Sequence, residues 1–464
     1  MPYTPRRSQQ RAQTFSRSLA NTIKSKLLTS FFPDKQLHHH TSEPPVAHLR
    51  HSNDISRPRH LRRTLYHADI SHSHHYIHFI RRLPVEILAH IFVLGSQQDA
   101  VFPVTISHVC RAWRYIALRT PSLWRCITLS PHERMWRERI HRARACTLDI
   151  RLITRASSRL GQPRTVDVDP FTVQWHMHIV LPHIQRWRSL DIEFPEYAPF
   201  LWKAALSNLL FGAPAQAPLL EDLSLVYRDN DDMDEFCLFS GYAPRLRRVT
   251  LDGIGLTWLP SLFSNLTFLD YTHHGFTTGH QAVHDVISIL QVSSRLVELR
   301  LAFPPKRTTS LPSRVDSVTQ RVTLAHLASL HLRVEGGEIP FELAHLVTLM
   351  STPSLTSLRL VDVSRGHHPF PQLKSFFYVY ALPPSLRTLR IEHGWYDHRM
   401  ISPMAHALPR IRQIIVKRSH TPEQVLNINR ATSKPSDDLN FGRSGAYNDR
   451  HLRIHRLDVQ YLSK

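Results

Sequence analysis

Arg300, His331, Arg359 and Arg390 each sit in the middle of an apolar-x-apolar triplet: LRL, LHL, LRL and LRI. In a strand, that middle residue points away from its two apolar neighbours. On adjacent strands the four would form one column, about 4.8 Å apart per step. Like charges facing one another across strands repel, so such a column calls for an anion. The guanidinium fork suits carboxylate or phosphate. These four residues are therefore the candidate substrate-binding set, for an acidic or phosphorylated segment of an unknown protein. Glu298 and Glu392 lie two residues from Arg300 and Arg390 and offset part of the charge.

Other chemistry is sparse. The sequence has no G-x-S-x-G, no P-loop and no H-E-x-x-H, so no catalytic set is expected. The segment DNDDMDE (229–235) has the acids of a calcium loop. However, Met233 occupies a ligand position and Asp234 the position of the turn glycine, so it is expected to be a solvated acidic loop. Cys110, Cys126, Cys146 and Cys237 have no zinc spacing and are expected as buried small apolar residues. The histidines of HSHHYIH (72–78) and His38, His39 and His40 lack a Cys or carboxylate to complete a metal site. No cofactor and no metal is expected.

The triplets belong to a longer pattern, apolar-x-x-apolar-x-apolar. It recurs as WRSLDI (187–192), LEDLSL (220–225), LRRVTL (246–251), LTFLDY (266–271), LVELRL (296–301), LASLHL (327–332), LTSLRL (355–360), LRTLRI (386–391) and IRQIIV (411–416). Successive copies start 20 to 33 residues apart. An earlier copy is ACTLDI (145–150), and a last one is IHRLDV (454–459). Helical stretches precede several copies: Val283, Val286, Ile287 and Leu290 lie ahead of one, Leu343, Leu346, Val347 and Met350 ahead of another. One helix and one strand cannot bury their faces alone, so copies are expected to stack into a parallel, right-handed array. The pattern resembles leucine-rich repeats. It lacks their Asn after the strand, which implies a degenerate array.

Residues 83–129 differ. Leu83 and Pro84 open a helix with Ile87, Leu88, Ile91, Phe92 and Leu94 on a stripe, and Gly95 is expected to end it. Ile106, Val109, Cys110, Trp113, Ile116 and Ala117 give a second helical face. Thr120-Pro121 is expected to restart a helix, with Trp124 closing the unit. LPVEIL, the Ile91-Phe92 pair, VCRAWR and TPSLW together resemble an F-box, over about a tenth of the chain. The resemblance implies docking onto a Skp-type adaptor and, through it, a cullin scaffold. Leu83, Pro84, Ile87, Leu88, Ile91, Phe92, Val109, Cys110, Trp113 and Trp124 would carry that contact. It also implies that ubiquitin transfer is done by other subunits.

The expected class is α/β. A helical F-box-like domain (77–130) is followed by an irregular leucine-rich-repeat solenoid (131–464). Residues 1–76 are expected as a disordered tail rich in His, Ser and Arg. The 464 residues carry a formal charge of +21, and residues 1–82 hold 14 Lys and Arg against 4 Asp and Glu. Charge of this sign draws anionic partners. A nucleic-acid-binding or scaffold protein is thus the alternative to a ligase subunit, although no RNA-binding signature is present. No apolar run is long enough to span a membrane and no secretory signal is visible. A cytoplasmic or nuclear location is expected. The acid-poor, Ser- and Arg-rich first 33 residues leave a mitochondrial transit segment as the lesser alternative.

Overall fold

The computed structural model describes residues 83–99, 101–128, 133–153, 155–156, 164–165, 169–210, 215–304, 311, 314–419, 421–428 and 458–461. The expected tail 1–76 and its histidine clusters lie outside them, as do residues 429–450, whose polar sequence reads as a loop.

Three helices come first: α1 (Val85–Gln98), α2 (Phe102–Ser107) and α3 (Arg111–Arg119). Pro84 precedes α1, and its carbonyl accepts the Leu88 N–H at 3.1 Å. Gly95 does not end α1; the helix runs on to Gln98. Its small size has another use, since a Cβ there would lie 2.5 Å from the Phe102 ring. The missing side chain lets α2 close onto α1. Cys110 caps α3, its Sγ accepting the Trp113 N–H at 3.5 Å. Thr120-Pro121 starts only a 3-10 turn, Pro121–Trp124, because the Thr120 hydroxyl donates back to the Ile116 carbonyl at 2.8 Å instead of capping forward.

Apart from two short two-stranded pairs, the described strands that follow form one thirteen-stranded sheet. They are β1 (Cys126–Thr128), β2 (Leu148–Ile153), β3 (Trp187–Glu193), β4 (Asp222–Val226), β5 (Arg248–Asp252), β6 (Phe268–Thr272) and β7 (Glu298–Phe303). They continue as β8 (Ser329–Val334), β9 (Ser357–Asp362), β10 (Thr388–Glu392), β11 (Gln413–Lys417), β12 (Gln424–Asn427) and β13 (Asp458–Tyr461). Each pairs with its neighbour in sequence. Pairing is parallel from β1 to β11 and antiparallel from β11 to β13.

Every expected hexamer from 187 to 416 contributes one of these strands. From the copy at 220 onward, its first apolar residue precedes the strand, and in several copies it closes a tight turn. The N–H groups of Leu246, Leu266, Leu296, Leu355 and Leu386 each donate to the carbonyl three residues back. The next two N–H groups share one carbonyl of the preceding copy: Arg247 and Arg248 on Glu221, Thr356 and Ser357 on Ala328, Arg412 and Gln413 on Arg387. The other two apolar positions line up in register as buried rows. One row runs Leu299–Leu330–Leu358–Leu389 and the next Leu301–Leu332–Leu360–Ile391. On the far side of the rows lie helices such as α8 (Gly279–Val292) and α9 (Phe341–Leu349), which bury Val283, Val286, Ile287, Leu290, Leu343, Leu346 and Val347. Ahead of them come α4 (Glu133–Ala143), α5 (Pro170–Val180), α6 (Pro199–Leu210) and the single turn α7 (Pro260–Phe263); α10 (Leu373–Val379) and α11 (His398–Ala407) follow.

β1 falls inside the stretch expected to be purely helical. Ile127 is fully buried, and Leu123 and Trp124 share one core with the sheet. The Trp124 indole donates to the Ala117 carbonyl at 2.8 Å, and Arg142 of α4 covers its ring at 4.4 Å. Buried Arg139 of α4 donates to the carbonyl of Cys126 at 2.9 Å. Of the four cysteines, Cys126 alone is fully buried, and Cys110 is exposed because it serves as a helix cap.

Between α4 and α5 the core turns polar. The His176 ring meets Trp136 edge-on, with centroids 4.7 Å apart. Neither ring nitrogen nor the indole Nε1 has a hydrogen-bond partner. Burial pushes the His176 pKa down to about 3, so the folded ring stays neutral while an unfolded one protonates near 6.5. Stability from this site is therefore intact above about pH 6.5 and declines as pH falls toward 3. The variant His176→Phe should gain about 2 kcal/mol over wild type between pH 7.5 and pH 5, read from urea unfolding at both pH values. A difference that does not change with pH contradicts this account.

Candidate functional site

The strand register brings the four predicted cationic residues together. His331 pairs with Arg300 on one side and Arg359 on the other, and Arg359 pairs with Arg390. All four point away from the leucine rows. The column is not a bare run of charge. Arg300 meets Glu298 at 2.7 Å and Asp270 at 3.6 Å. Arg359 and Arg390 meet Glu392 at 2.8 and 2.6 Å, and Arg390 also meets Glu423 at 2.8 Å. Arg333, one outward position along, holds Asp270 at 2.5 Å. His331 adds no charge at neutral pH, because burial and then the Arg300 charge push its pKa down to about 4. The anion that the column required is supplied by the chain's own carboxylates. Glu298 and Glu392 were foreseeable from local spacing. Asp270 and Glu423 come from other strands and loops, and only the register reveals them.

Glu392 is the centre of this network. Burial alone would raise its carboxyl, but hydrogen bonds and charge from Arg390 and Arg359 outweigh that and hold it below the usual range.

A second cluster had no sequence signal beyond a His-His pair. His273 and His274 follow β6 and approach Asp285 of α8. Two histidines and a carboxylate have the makings of a metal site, but the hydrogen bonds oppose it. Each Nδ1 accepts a backbone N–H, from Gly275 for His273 and from Phe276 for His274, both at 3.1 Å. A neutral ring accepting at Nδ1 carries its proton on Nε2 and has no lone pair there for a metal. Metal-bound histidines do the reverse and donate their other N–H. The cluster anchors a turn: Thr277 Oγ1 donates to Asp285 at 2.6 Å and lies 3.3 Å from His273 Nε2.

The acidic loop is also internally committed. The Asp232 N–H donates to the Asn230 side chain and the Asp234 N–H to the Asp232 side chain, at 3.1 and 3.2 Å. Buried Asn230 ties the loop to the Gly253 carbonyl at 3.2 Å.

The helical unit has two apolar stripes on α1. Leu88 and Phe92, at i and i+4, point inward and are 5% and 1% exposed. Ile87, Ile91 and Leu94, at i, i+4 and i+7, point outward and are 43–50% exposed. Leu83 and Pro84 extend the outward stripe and are exposed too. Val109 and Cys110 are exposed at the turn into α3. Trp113 is half-buried, its ring 4.9 Å from Phe92.

Residues 80–130 match the F-box-like family. No curated protein matches the chain. The F-box-like unit is a protein–protein interaction module, and its exposed residues can now be separated from its supporting ones. Leu88, Phe92 and Trp124 were expected at a partner's surface. The structure corrects this: Leu88 and Phe92 turn inward beneath the outward stripe, and Trp124 is buried in the core shared with the sheet. Val85 and Val101, 51% and 57% exposed, were not foreseen, because neither falls on the periodic stripe. Among the described residues, no helix is long and apolar enough to cross a membrane.

The strand-face network predicts an acid-sensitive element. Glu392→Gln removes a buried charge shared by two guanidiniums and should cost about 1–3 kcal/mol in denaturant unfolding at pH 7. The wild-type contribution is present above the unfolded carboxyl's pKa and is lost as pH falls through the lower folded value. The gap between the two proteins should therefore narrow below about pH 4. A gap that stays constant down to pH 3 would falsify the shared-charge account.

Proposed function

We propose that this chain is the substrate-recognition subunit of a Skp–cullin–F-box type ubiquitin ligase. The observation that carries the proposal is the outward stripe Leu83, Pro84, Ile87, Ile91 and Leu94 on a segment matching the F-box-like family. A helix that buries one apolar stripe and leaves a second in water is completed by a partner. A Skp-type adaptor is that partner, and a cullin scaffold follows through it. In this reading ubiquitin transfer belongs to other subunits. The strand array is a degenerate leucine-rich-repeat solenoid in this proposal, and its outward column Arg300, His331, Arg359 and Arg390 receives the substrate. Because each guanidinium there already holds a carboxylate, the substrate segment shares these forks. Its acidic or phosphorylated groups compete for them while its own donors take up Glu298 or Glu423. That mixed-charge face favours a protein segment over nucleic acid. The place of action is the cytoplasm or nucleus.

Capture of the full-length chain on an immobilised Skp-type adaptor tests the first half. Ile87→Asp with Ile91→Asp, and separately Leu83→Ala with Pro84→Ala, should reduce capture about tenfold or more with melting curves near wild type. Capture at the wild-type level in both variants refutes the docking assignment.

Arg359→Glu with Arg390→Glu tests the second half, by mass spectrometry of co-purified proteins. At least one should be lost while the adaptor is kept. Retention of every one removes the strand face from consideration.

A further inference from the structure

Among the described residues, four Ser or Thr side chains precede a proline: Thr120, Thr352, Ser402 and Thr421. Proline biases the residue before it toward extended backbone, the form in which a segment lies in a kinase cleft. Three of the four are withheld from such a cleft. Thr120 donates its hydroxyl to the Ile116 carbonyl at 2.8 Å. Thr352 is buried, and Ser402 lies inside α11. Thr421 is exposed and lies outside helix and strand, between β11 and β12. Its hydroxyl reaches the Arg418 carbonyl only at 3.4 Å, a weak bond to give up. Glu423, two residues on, grips Arg390 with both oxygens, at 3.2 and 2.8 Å. The connection that carries Thr421 thus closes on the last arginine of the outward column. Lys417 and Arg418 precede Thr421, and Glu423 is the only acid from His398 to Ser436.

We propose that Thr421 is a phosphorylation site for a proline-directed protein kinase, and that its phosphate competes with Glu423 for Arg390. The γ-phosphoryl group of ATP passes to Thr421 Oγ1. A P–O bond to that oxygen forms, the bond to the β-phosphate oxygen breaks, ADP leaves, and the hydroxyl proton goes to the kinase's catalytic carboxylate. The new group brings about two negative charges and three acceptor oxygens. It stands two residues from Glu423, so the two anions repel and contend for one guanidinium fork. Phosphate takes such a fork in bidentate fashion. Arg418 borders the same turn, its guanidinium over the Tyr396 ring at 4.8 Å and donating to Gln424 at 3.0 Å. Release of Glu423 leaves Arg390 with Glu392, at 2.6 Å, and with the phosphate. The end of the column is then filled by the chain's own phosphate, where the proposed substrate would place an acidic or phosphorylated group. That closure of the face rests on the substrate-recognition reading; the modification and its hold on Arg390 do not.

Treatment of the full-length chain with ATP and a purified kinase of the mitogen-activated, proline-directed class tests the site. Peptide mass spectrometry should place phosphate on Thr421, and Thr421→Ala should abolish that phosphopeptide. Phosphorus NMR then follows the phosphothreonine with pH. Its second ionisation should fall below the ordinary value of about 6 and return toward it in Arg390→Gln. Glu423→Gln, at a partly exposed position, should lower it further, because it removes both a competitor and a like charge. Kinase-treated wild type should also lose, by about tenfold, a co-purified protein that Arg359→Glu with Arg390→Glu loses, whereas Thr421→Ala keeps it. Absence of phosphate at Thr421, or an ionisation indifferent to both Arg390→Gln and Glu423→Gln, overturns the proposal. A phosphate that holds Arg390 while every co-purified protein stays bound overturns the closure. A double arginine variant that loses no protein faults the substrate face and not the phosphate site.

Discussion

A parallel strand of five or six residues has no interior of its own; its leucines leave water only when the strands beside it present theirs at the same height. In this protein the matching is enforced twice per copy. Two successive N–H groups converge on one carbonyl of the preceding copy, and two apolar rows run straight across the sheet. A slip of one residue would turn each leucine outward and each arginine into the core. The register is thus set by burial, and the outward residues inherit their positions from it. The alignment of Arg300, His331, Arg359 and Arg390 is a by-product of where Leu299, Leu330, Leu358 and Leu389 must lie.

Once the column exists, its charge has to be met. On the strand face it is met from within, by Asp270, Glu298, Glu392 and Glu423. On α1 the same logic applies to apolar area: one stripe is satisfied by Trp113 and the core, while the other is left for something else.

The strands were legible because a period-two pattern bounded by turns depends only on local sequence. Their order was legible because parallel neighbours in a repeat have nowhere else to go. The phase of the column was legible for the same reason. Its neutralisation was only half legible, since Asp270 reaches Arg333 across 63 residues and no local spacing encodes that. On α1 the periodicity gave a helix but merged two stripes into one. Ile87 and Leu88 are adjacent in sequence, about 100° apart around the helix, and only packing shows which is inside. Gly95 read as a terminator because glycine often ends helices; the approach of Phe102 is a tertiary fact. His273 and His274 passed unnoticed, and their hydrogen bonds assign them to a turn.

The first strand of the sheet is only three residues long, and the carbonyl of Cys126 within it is already occupied by buried Arg139. An open parallel edge is otherwise a template on which another chain can grow. Here the template is truncated and plugged by a buried ion that donates to that carbonyl. At the opposite margin the pairing changes: β12 and β13 close the sheet antiparallel. A short and occupied first edge thus guards an extended ribbon of leucine rows against growth from that side.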